Sequence, residues 1–139
     1  MNSNIQYSIS GGLLSEELDH LFQSVNMGAY SKEKLDRIIS RSTTYVTARD
    51  SGKLVGFGRM LSDGATLAYI NNMAVNPHYQ RQGIGQAILE KLIRIAGNVN
   101  SIYLYSDTAD SLYIRKGFQP SEKRLYVLRN SQNNEQSSS

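Results

Sequence analysis

The sequence predicts one mixed α/β domain, with a mostly antiparallel central sheet flanked by helices. The chain has 139 residues, the size of one ordinary domain, and 40% of them are hydrophobic, which is enough for one core. Turn sequences at 50–52 and 62–64 separate segments with strand-like patterns, so consecutive antiparallel strands are expected there. After Gly83 the apolar residues recur with a helical period instead. A helix is therefore expected to follow the antiparallel strands, which makes the domain α/β.

The N-terminal part is predicted to form one strand and two helices. Residues 5–9 alternate between apolar and polar side chains, as a half-buried strand does. Ser15 and Ser31 each precede a helical apolar pattern, so each is predicted to be a helix N-cap. The apolar positions of these two helices are Leu18, Leu21, Phe22 and Val25, and then Leu35, Ile38 and Ile39.

Three strands in meander order should follow, at residues 43–49, 53–61 and 66–75. Pro77 ends the last of them, because proline cannot donate a hydrogen bond to a ladder. A helix with one apolar stripe then runs from Gly83 to the stop at Gly97 and Asn98. The stripe is formed by Ile84, Ile88, Leu92 and Ile95.

The C-terminal part is predicted to hold a strand at 102–105, a helix at 108–116 ended by Gly117, and a last strand at 125–128. Residues 1–129 are therefore expected to form a single domain. The tail at 130–139 is too polar to pack and is expected to be disordered.

Composition excludes several kinds of chemistry. The chain has no cysteine and two histidines, so disulfides, thiolate metal sites and cysteine nucleophiles are excluded, and no metal is expected. Because the first ten residues lack the features of a signal peptide and no apolar run is long enough to span a bilayer, a cytoplasmic protein without membrane contact is expected. The net charge of +3 and the pI of about 9.2 are compatible with nucleic acid, a nucleotide cofactor or an ordinary solvated surface.

The segment around residues 75–89 has the pattern of a phosphate-binding site. A strand leads into a loop with Gly83 and Gly85, and this loop opens a long amphipathic helix. The first N–H groups of a helix have no partner within it, and the helix dipole makes that end partly positive. Glycine lets a phosphate approach the backbone closely, and Arg81 adds a cation. The pattern suits a pyrophosphate.

Two other phosphate motifs fit this segment less well. A Walker loop needs Gly-Lys-Ser/Thr, which is absent here. A dinucleotide fingerprint needs a glycine where this chain has Ile88, and its first glycine should follow the strand closely, whereas residues 76–82 intervene. Asp107 does lie about where a ribose-binding acid would fall, so this alternative stays open.

Two motifs carry a family resemblance. Gln80-Arg-Gln-Gly83-Ile-Gly85 is similar to the Q/R-x-x-G-x-G/A signature of the GCN5-related N-acetyltransferase (GNAT) superfamily, and residues 73–77 resemble its strand-then-proline lead-in. Residues 109–118 resemble the family's A-x-x-x-Y-x-x-x-G-F segment. The two motifs occur in the expected order and cover roughly 53–118. The resemblance implies a GNAT-like fold with a splayed strand, and acetyl-coenzyme A (acetyl-CoA) as cosubstrate.

The resemblance also implies which residues bind coenzyme A. The pantetheine arm would add along the end of the strand like a further strand, and a backbone N–H near Met73 would polarise the thioester carbonyl. Ser106 stands where many relatives have asparagine; it can still bond to the arm, with a shorter reach. The residues expected to bind the cofactor are Met73, Ala74, Val75, Arg81, Gln82, Gly83, Ile84, Gly85, Gln86 and Ser106.

The implied reaction is direct attack of an amine on the thioester in a ternary complex. Tyr113 matches the family's general acid, which would protonate the departing thiolate; the alternative is a core tyrosine that packs the helix. No residue is assigned as the base. Tyr69 is a poor base at neutral pH, and Asn71 or Asn72 would act by holding a water. His78 and His20 read as surface residues.

The acceptor should be bound by the first two helices and the loop between them, at 27–31. Tyr30, Tyr69 and Tyr105 are candidate substrate-binding residues that would form an aromatic wall or a cation–π surface, unless they are ordinary core or rim tyrosines. Asp63 or Asp107 is a candidate partner for a second ammonium. The expected acceptor is a primary amine on a small molecule.

Two other functions stay open. One is acetylation of a protein lysine or N-terminus; the other is a catalytically silent sensor that binds coenzyme A or nucleic acid. Retention of Tyr113 argues against a silent protein, and the lack of an aromatic-basic strand motif argues against nucleic acid. Many members of the family pair through C-terminal strands, so the resemblance makes a homodimer an expectation.

Overall fold

The structure is a computed structural model that describes residues 4–106 and 110–130. The chain divides into two compact units, the first ending at Tyr105 and the second beginning at Ser106. Within the described residues, no helix has both the length and the apolar character needed to cross a membrane.

The first unit contains a five-stranded mixed sheet with three helices. The strands follow one another in space in chain order. The first three pairings, from β1 to β4, are antiparallel, whereas β4 and β5 are parallel. The elements are β1 Ile5–Ile9, α1 Ser15–Ser24, α2 Lys32–Arg41, β2 Thr44–Asp50, β3 Lys53–Ser62, β4 Leu67–Val75, α3 Ile84–Ala96 and β5 Ser101–Leu104. The predicted fold class is thus confirmed, with strand boundaries within about one residue.

The helices cover both faces of the sheet. Phe57 packs in a buried cluster with Leu18 and Phe22 of α1. Its neighbours Gly56 and Gly58 instead face α3, since a Cβ on either would meet the side chain of Ile88. Successive side chains of a strand point to opposite faces. Helices α1 and α2 therefore lie on one face and α3 on the other.

One of the two predicted N-caps is confirmed. The Oγ of Ser31 accepts a hydrogen bond from the N–H of Lys34 at 3.2 Å. Ser15 is instead the first residue of α1, and the cap position is taken by Leu14, whose side chain cannot accept a hydrogen bond. Glu17 contributes the reciprocal bond, accepting from the Leu14 N–H at 3.0 Å. The prediction for Ser15 was wrong by one residue.

The second unit contains α4, Asp110–Arg115. Gly117, at φ +96°, ends the helix as predicted. The Gly117 N–H donates to the Ile114 carbonyl and the Phe118 N–H donates to the Tyr113 carbonyl, both at 3.0 Å. These two bonds form a Schellman motif, which satisfies the last carbonyls of the helix. The predicted first residues of this helix, 108 and 109, lie outside the described residues.

The predicted strand at 125–128 does not form. These residues pair with no strand in the part of the chain that the structure describes, and all four of their large apolar side chains are exposed. An apolar run favours a strand only where a neighbouring strand offers free hydrogen-bonding groups. The tail predicted to be disordered, apart from Asn130, lies outside the described residues.

Candidate active site

The loop between β4 and α3 is fixed by hydrogen bonds at its start. Oδ1 of Asn76 accepts from the N–H of His78 at 2.9 Å, which holds a short 3-10 turn over Pro77–Tyr79. Nε2 of Gln80 then reaches back and donates to the Val75 carbonyl at 2.9 Å. The loop is thereby tied to the end of the strand that it leaves.

The N-terminus of α3 leaves room above the backbone. Gly83 has φ +86°, and a Cβ built on it would meet no atom within 4 Å. Arg81 also has positive φ, at +64°, and its side chain is exposed. The first N–H groups of α3 have no acceptor inside the helix. Backbone donors, open space and a cation therefore occur together at this helix end, as a bound pyrophosphate requires.

The strand that leads to this loop has one open edge. The parallel ladder between β4 and β5 ends at the pair Ile70 and Leu104, but β4 continues to Val75. Residues 71–75 thus have no strand partner on the β5 side within the described residues. An extended ligand can add to such an edge through main-chain hydrogen bonds. This agrees with the expected splayed strand, and the loop that follows the edge leads to Gly83.

A β-bulge shapes β4 in the middle of this edge. Phe57 pairs with Ala74 and Arg59 pairs with Asn71, so Gly58 alone lies opposite Asn72 and Met73. Asn72 has φ +54° and is buried, a backbone conformation that asparagine tolerates better than most residues. The bulge turns the Asn72 side chain toward the face that carries α1 and α2.

Asn72 and Arg59 form the polar centre of that face. Oδ1 of Asn72 accepts from Nε of Arg59 at 2.8 Å. Its Nδ2 lies 3.4 Å from the Tyr30 hydroxyl and 3.5 Å from Sδ of Met27, and both contacts are hydrogen bonds. Because the amide of Asn72 is engaged on both sides, Asn71 is the more available of the two asparagines to hold a water.

Arg59 is a half-buried cation with neutral partners. Its other hydrogen bond among the described residues runs from NH1 to Oγ of Ser42 at 3.5 Å. Burial lowers the pKa of Arg59 below its usual value, and Tyr30 and Tyr69 are close enough to act on it electrostatically in the opposite direction. Within the residues that the structure describes, no carboxylate forms an ion pair with it.

The predicted aromatic wall is partly assembled. Tyr69 and Tyr105 pack edge to face with ring centroids 6.1 Å apart, and burial raises the pKa of Tyr69, with a smaller contribution from Tyr105. Tyr30 packs on Phe22 at 5.7 Å. Tyr30 and Tyr69 both lie near Arg59. The structure therefore brings together the loop at 27–31, β3 and β4.

Asp63, one of the two carboxylates suggested for a second ammonium, lies in the β3–β4 turn. Asp63 accepts from the N–H groups of Ala65, Thr66 and Leu67 in the β3–β4 turn, and its bond to the Thr66 hydroxyl leads the interactions that hold its pKa well below the usual range. Asp63 is thus committed to the turn, and Asp107 lies outside the described residues. Within the described ranges, no group of three His, Cys, Asp or Glu residues could hold a metal ion.

Tyr113 lies in α4, in the second unit. Its ring packs edge to face on Phe118 with centroids 6.1 Å apart, which is the apolar contact that accompanies a Schellman motif. Burial raises the pKa of the Tyr113 phenol, so it is protonated at neutral pH and able to donate. Ser106 is half-buried and begins the same unit.

Sequence reasoning missed Arg59. A signal was present, because Arg59 is the only charge within the run 54–61, which is otherwise apolar or glycine. A charge on a central strand needs either a partner or a ligand. Its contact with Asn72 depends on strand register and on the bulge, which the sequence pattern does not specify.

Comparison with known proteins agrees with this geometry. The profile of the acetyltransferase (GNAT) domain matches residues 40–120. The chain is 39% identical over 70 residues to GCN5-related N-acetyltransferase 2, chloroplastic, of Arabidopsis thaliana, covering 48% of this chain and 27% of that protein. It is 37% identical over 83 residues to the N-alpha-acetyltransferase RimI of Mycobacterium tuberculosis, covering 54% and 51%. The chain thus spans about a quarter to a half of the length of these relatives.

A solved structure extends the match to most of the chain. A Staphylococcus aureus protein named as a probable acetyltransferase superposes with a TM-score of 0.80 at 28% identity, covering 90% of this chain and 99% of that one. The profile match, the five-stranded sheet and the glycine loop after β4 lead to one conclusion. This chain belongs to the GCN5-related N-acetyltransferase (GNAT) family.

Proposed function

We propose that this chain is an acetyl-CoA-dependent N-acetyltransferase that acetylates a primary amine of a small molecule by direct attack in a ternary complex. The observation that carries the proposal is the open edge of β4, which a short loop connects to the N-terminus of α3. The edge thus offers backbone hydrogen bonds for an extended arm, and the helix N-terminus offers them for a pyrophosphate.

The residues present fit coenzyme A. Main-chain groups of Met73, Ala74 and Val75 would bind the arm, and the Val75 carbonyl would share its bond with Gln80. The loop residues Arg81, Gln82, Gly83, Ile84, Gly85 and Gln86 would bind the pyrophosphate, and Ser106 would contact the arm. When bound, acetyl-CoA supplies an acyl group activated as a thioester.

We assign the proton transfers to residues of this chain. A protonated alkylamine has a pKa near 10 and must lose a proton before it attacks. We assign the removal of this proton to a water held by Asn71, with Tyr69 and Asn72 next to the water. The Tyr113 hydroxyl would donate a proton to the departing sulfur, and a main-chain N–H near Met73 would stabilise the developing oxyanion.

A protein N-terminus is the second candidate acceptor. One relative of this chain carries the name N-alpha-acetyltransferase, which supports a peptide amine as the second candidate. The two acceptors differ in what surrounds the amine, because a peptide continues beyond the amine as an amide-linked chain and a small molecule does not.

The test is release of free coenzyme A thiol from acetyl-CoA with a panel of small amines, amino sugars and peptides. We expect turnover with at least one small primary amine. Turnover with peptides alone would favour the second candidate. A chain that binds acetyl-CoA but turns over none of these acceptors would contradict the proposed acceptor class.

A further inference from the structure

The half-buried guanidinium of Arg59 has more donors than the protein satisfies. Guanidinium carries five N–H donors, and across residues 4–106 and 110–130 it forms two hydrogen bonds, to Asn72 and to Ser42. Both partners are neutral, and no described carboxylate pairs with it. A buried cation is costly unless it is paired and hydrogen-bonded. The remaining donors are available to an anion from outside the protein.

The orientation of Arg59 is fixed before any ligand arrives. The Nε bond at 2.8 Å to Asn72 holds the plane of the guanidinium, and Asn72 is itself held by Tyr30 and Met27. A planar, positioned fork is the donor arrangement that matches a carboxylate in two-bond geometry. A lysine would offer only a point charge at this place.

Arg59 lies on β3, directly across β4 from its open edge. It is the register partner of Asn71 and adjoins the bulge at Asn72 and Met73, where the edge has no strand partner on the β5 side. Its side chain lies on the face that carries α1 and α2, near Tyr30 and Tyr69. An amine that attacks at this edge would bring its other groups within reach of Arg59.

We propose that Arg59 binds a carboxylate of the acceptor, so that the preferred acceptor is a primary amine that also carries a carboxylate, as an amino acid does. This inference rests on the proposed acetyltransferase function. It disfavours polyamines, because Arg59 would repel a second ammonium and because Asp63 is engaged in its own turn.

The test compares acceptors that differ only in the carboxylate. The α series is phenylalanine, phenylalaninamide and phenethylamine; the ω series is 4-aminobutyrate and butylamine. We expect the carboxylate member of at least one series to have a kcat/KM at least about tenfold above its neutral counterparts, as a charge-assisted hydrogen bond provides. The series that shows this preference also identifies whether the carboxylate is next to the amine or remote from it.

The variants assign the preference to Arg59. Arg59→Gln should reduce the ratio of kcat/KM values between carboxylate and neutral acceptors to near one, and Arg59→Lys should retain part of it. Arg94→Gln, at an exposed position on α3, removes the same charge elsewhere and should keep the ratio. A ratio that is unchanged in Arg59→Gln would overturn the inference.

A binding measurement separates this inference from the proposed function. In the presence of coenzyme A, N-acetylphenylalanine or 4-acetamidobutyrate should shift the NMR resonance of the Arg59 Nε–H, whereas N-acetylphenethylamine should not. If neither carboxylate shifts it, the inference fails even where acetyl-CoA is turned over. If a carboxylate shifts it but acetyl-CoA neither binds nor reacts, the proposed function fails and the anion site stands.

Discussion

Arg49 and Glu17 form a two-bond ion pair between β2 and α1. NH1 of Arg49 donates to Oε1 of Glu17 at 2.9 Å, and NH2 donates to Oε2 at 2.6 Å. The same guanidinium also donates to the carbonyls of Gly52 and Gly12. The pair therefore fixes the start of the first helix on the sheet, on the same side as the proposed acceptor site.

Glu17→Gln should lower the free energy of unfolding at pH 7 by about 1 kcal/mol, since the pair is about a quarter exposed. The hydrogen bond from Arg49 holds the pKa of Glu17 below its usual 4.5. A lowered folded-state pKa means that the contribution is present above pH 4.5 and is lost as pH falls through the folded value. Urea unfolding of wild type and variant at pH 7 and pH 2 measures this, with exposed Glu33→Gln as control. A difference that persists unchanged at pH 2 would contradict it.

Gly83→Ala and Gly52→Ala form a matched pair. Their φ values are +86° and +89°, and a Cβ on either would meet nothing within 4 Å. Both should therefore lose about 1–2 kcal/mol of stability from backbone conformation alone. Only Gly83→Ala should also weaken acetyl-CoA binding, by about tenfold or more, because a methyl group would occupy the space above the helix N-terminus. Calorimetry on both variants checks this; an equal effect on affinity would contradict the assignment of the loop.

Gly58→Ala should cost about 1–3 kcal/mol through overpacking. A Cβ at this position would lie 2.5 Å from Sδ of Met73 and 2.8 Å from Cγ2 of Ile88. Gly85→Ala is the control, since its Cβ would meet only Cγ2 of Val75 at an ordinary 3.7 Å. Alanine also suits a helix better than glycine, so this control should gain up to about 1 kcal/mol. Equal unfolding midpoints for the two variants would argue against the packing of α3 on β3.

Tyr113→Phe should lower kcat by about 100-fold or more while the Kd for acetyl-CoA stays unchanged. Tyr126→Phe, at a strongly exposed position in the same unit, should leave both constants unchanged. Burial raises the pKa of Tyr113 above its usual value, so the proton-donating form prevails at neutral pH. A kcat in Tyr113→Phe that stays near the wild-type value would argue against its role as the acid.

Most of the fold followed from short-range patterns. The turns at 50–52 and 62–64, Pro77, and the glycines at 83 and 97 mark element ends by backbone chemistry that acts within a few residues. The strand order and the helix after the glycine loop were predicted on that basis and are confirmed. The prediction that Ser15 is the N-cap was wrong by one residue, because a local sequence pattern does not fix the exact residue at which a helix begins.

The parts that failed or were missed depend on distant partners. Residues 125–128 can form a strand only beside another strand with a free edge. Their apolar side chains do not determine whether such an edge exists. Arg59 and Asn72 are 13 positions apart and meet only because β3 and β4 pair with a bulge between them. The assignment of Tyr113 came from a family resemblance, and that of the cofactor loop from its glycine pattern together with the resemblance; both stay predictions for the experiments above.

The most direct test of the account is equilibrium binding of acetyl-CoA, measured by titration calorimetry against NAD and ATP in parallel. We expect saturable binding of acetyl-CoA with a Kd between about 1 μM and 1 mM, the usual range for enzyme substrates, and much weaker binding of the other two. No detectable binding of acetyl-CoA, or tighter binding of NAD, would contradict the central claim that the edge of β4 and the N-terminus of α3 form a coenzyme A site.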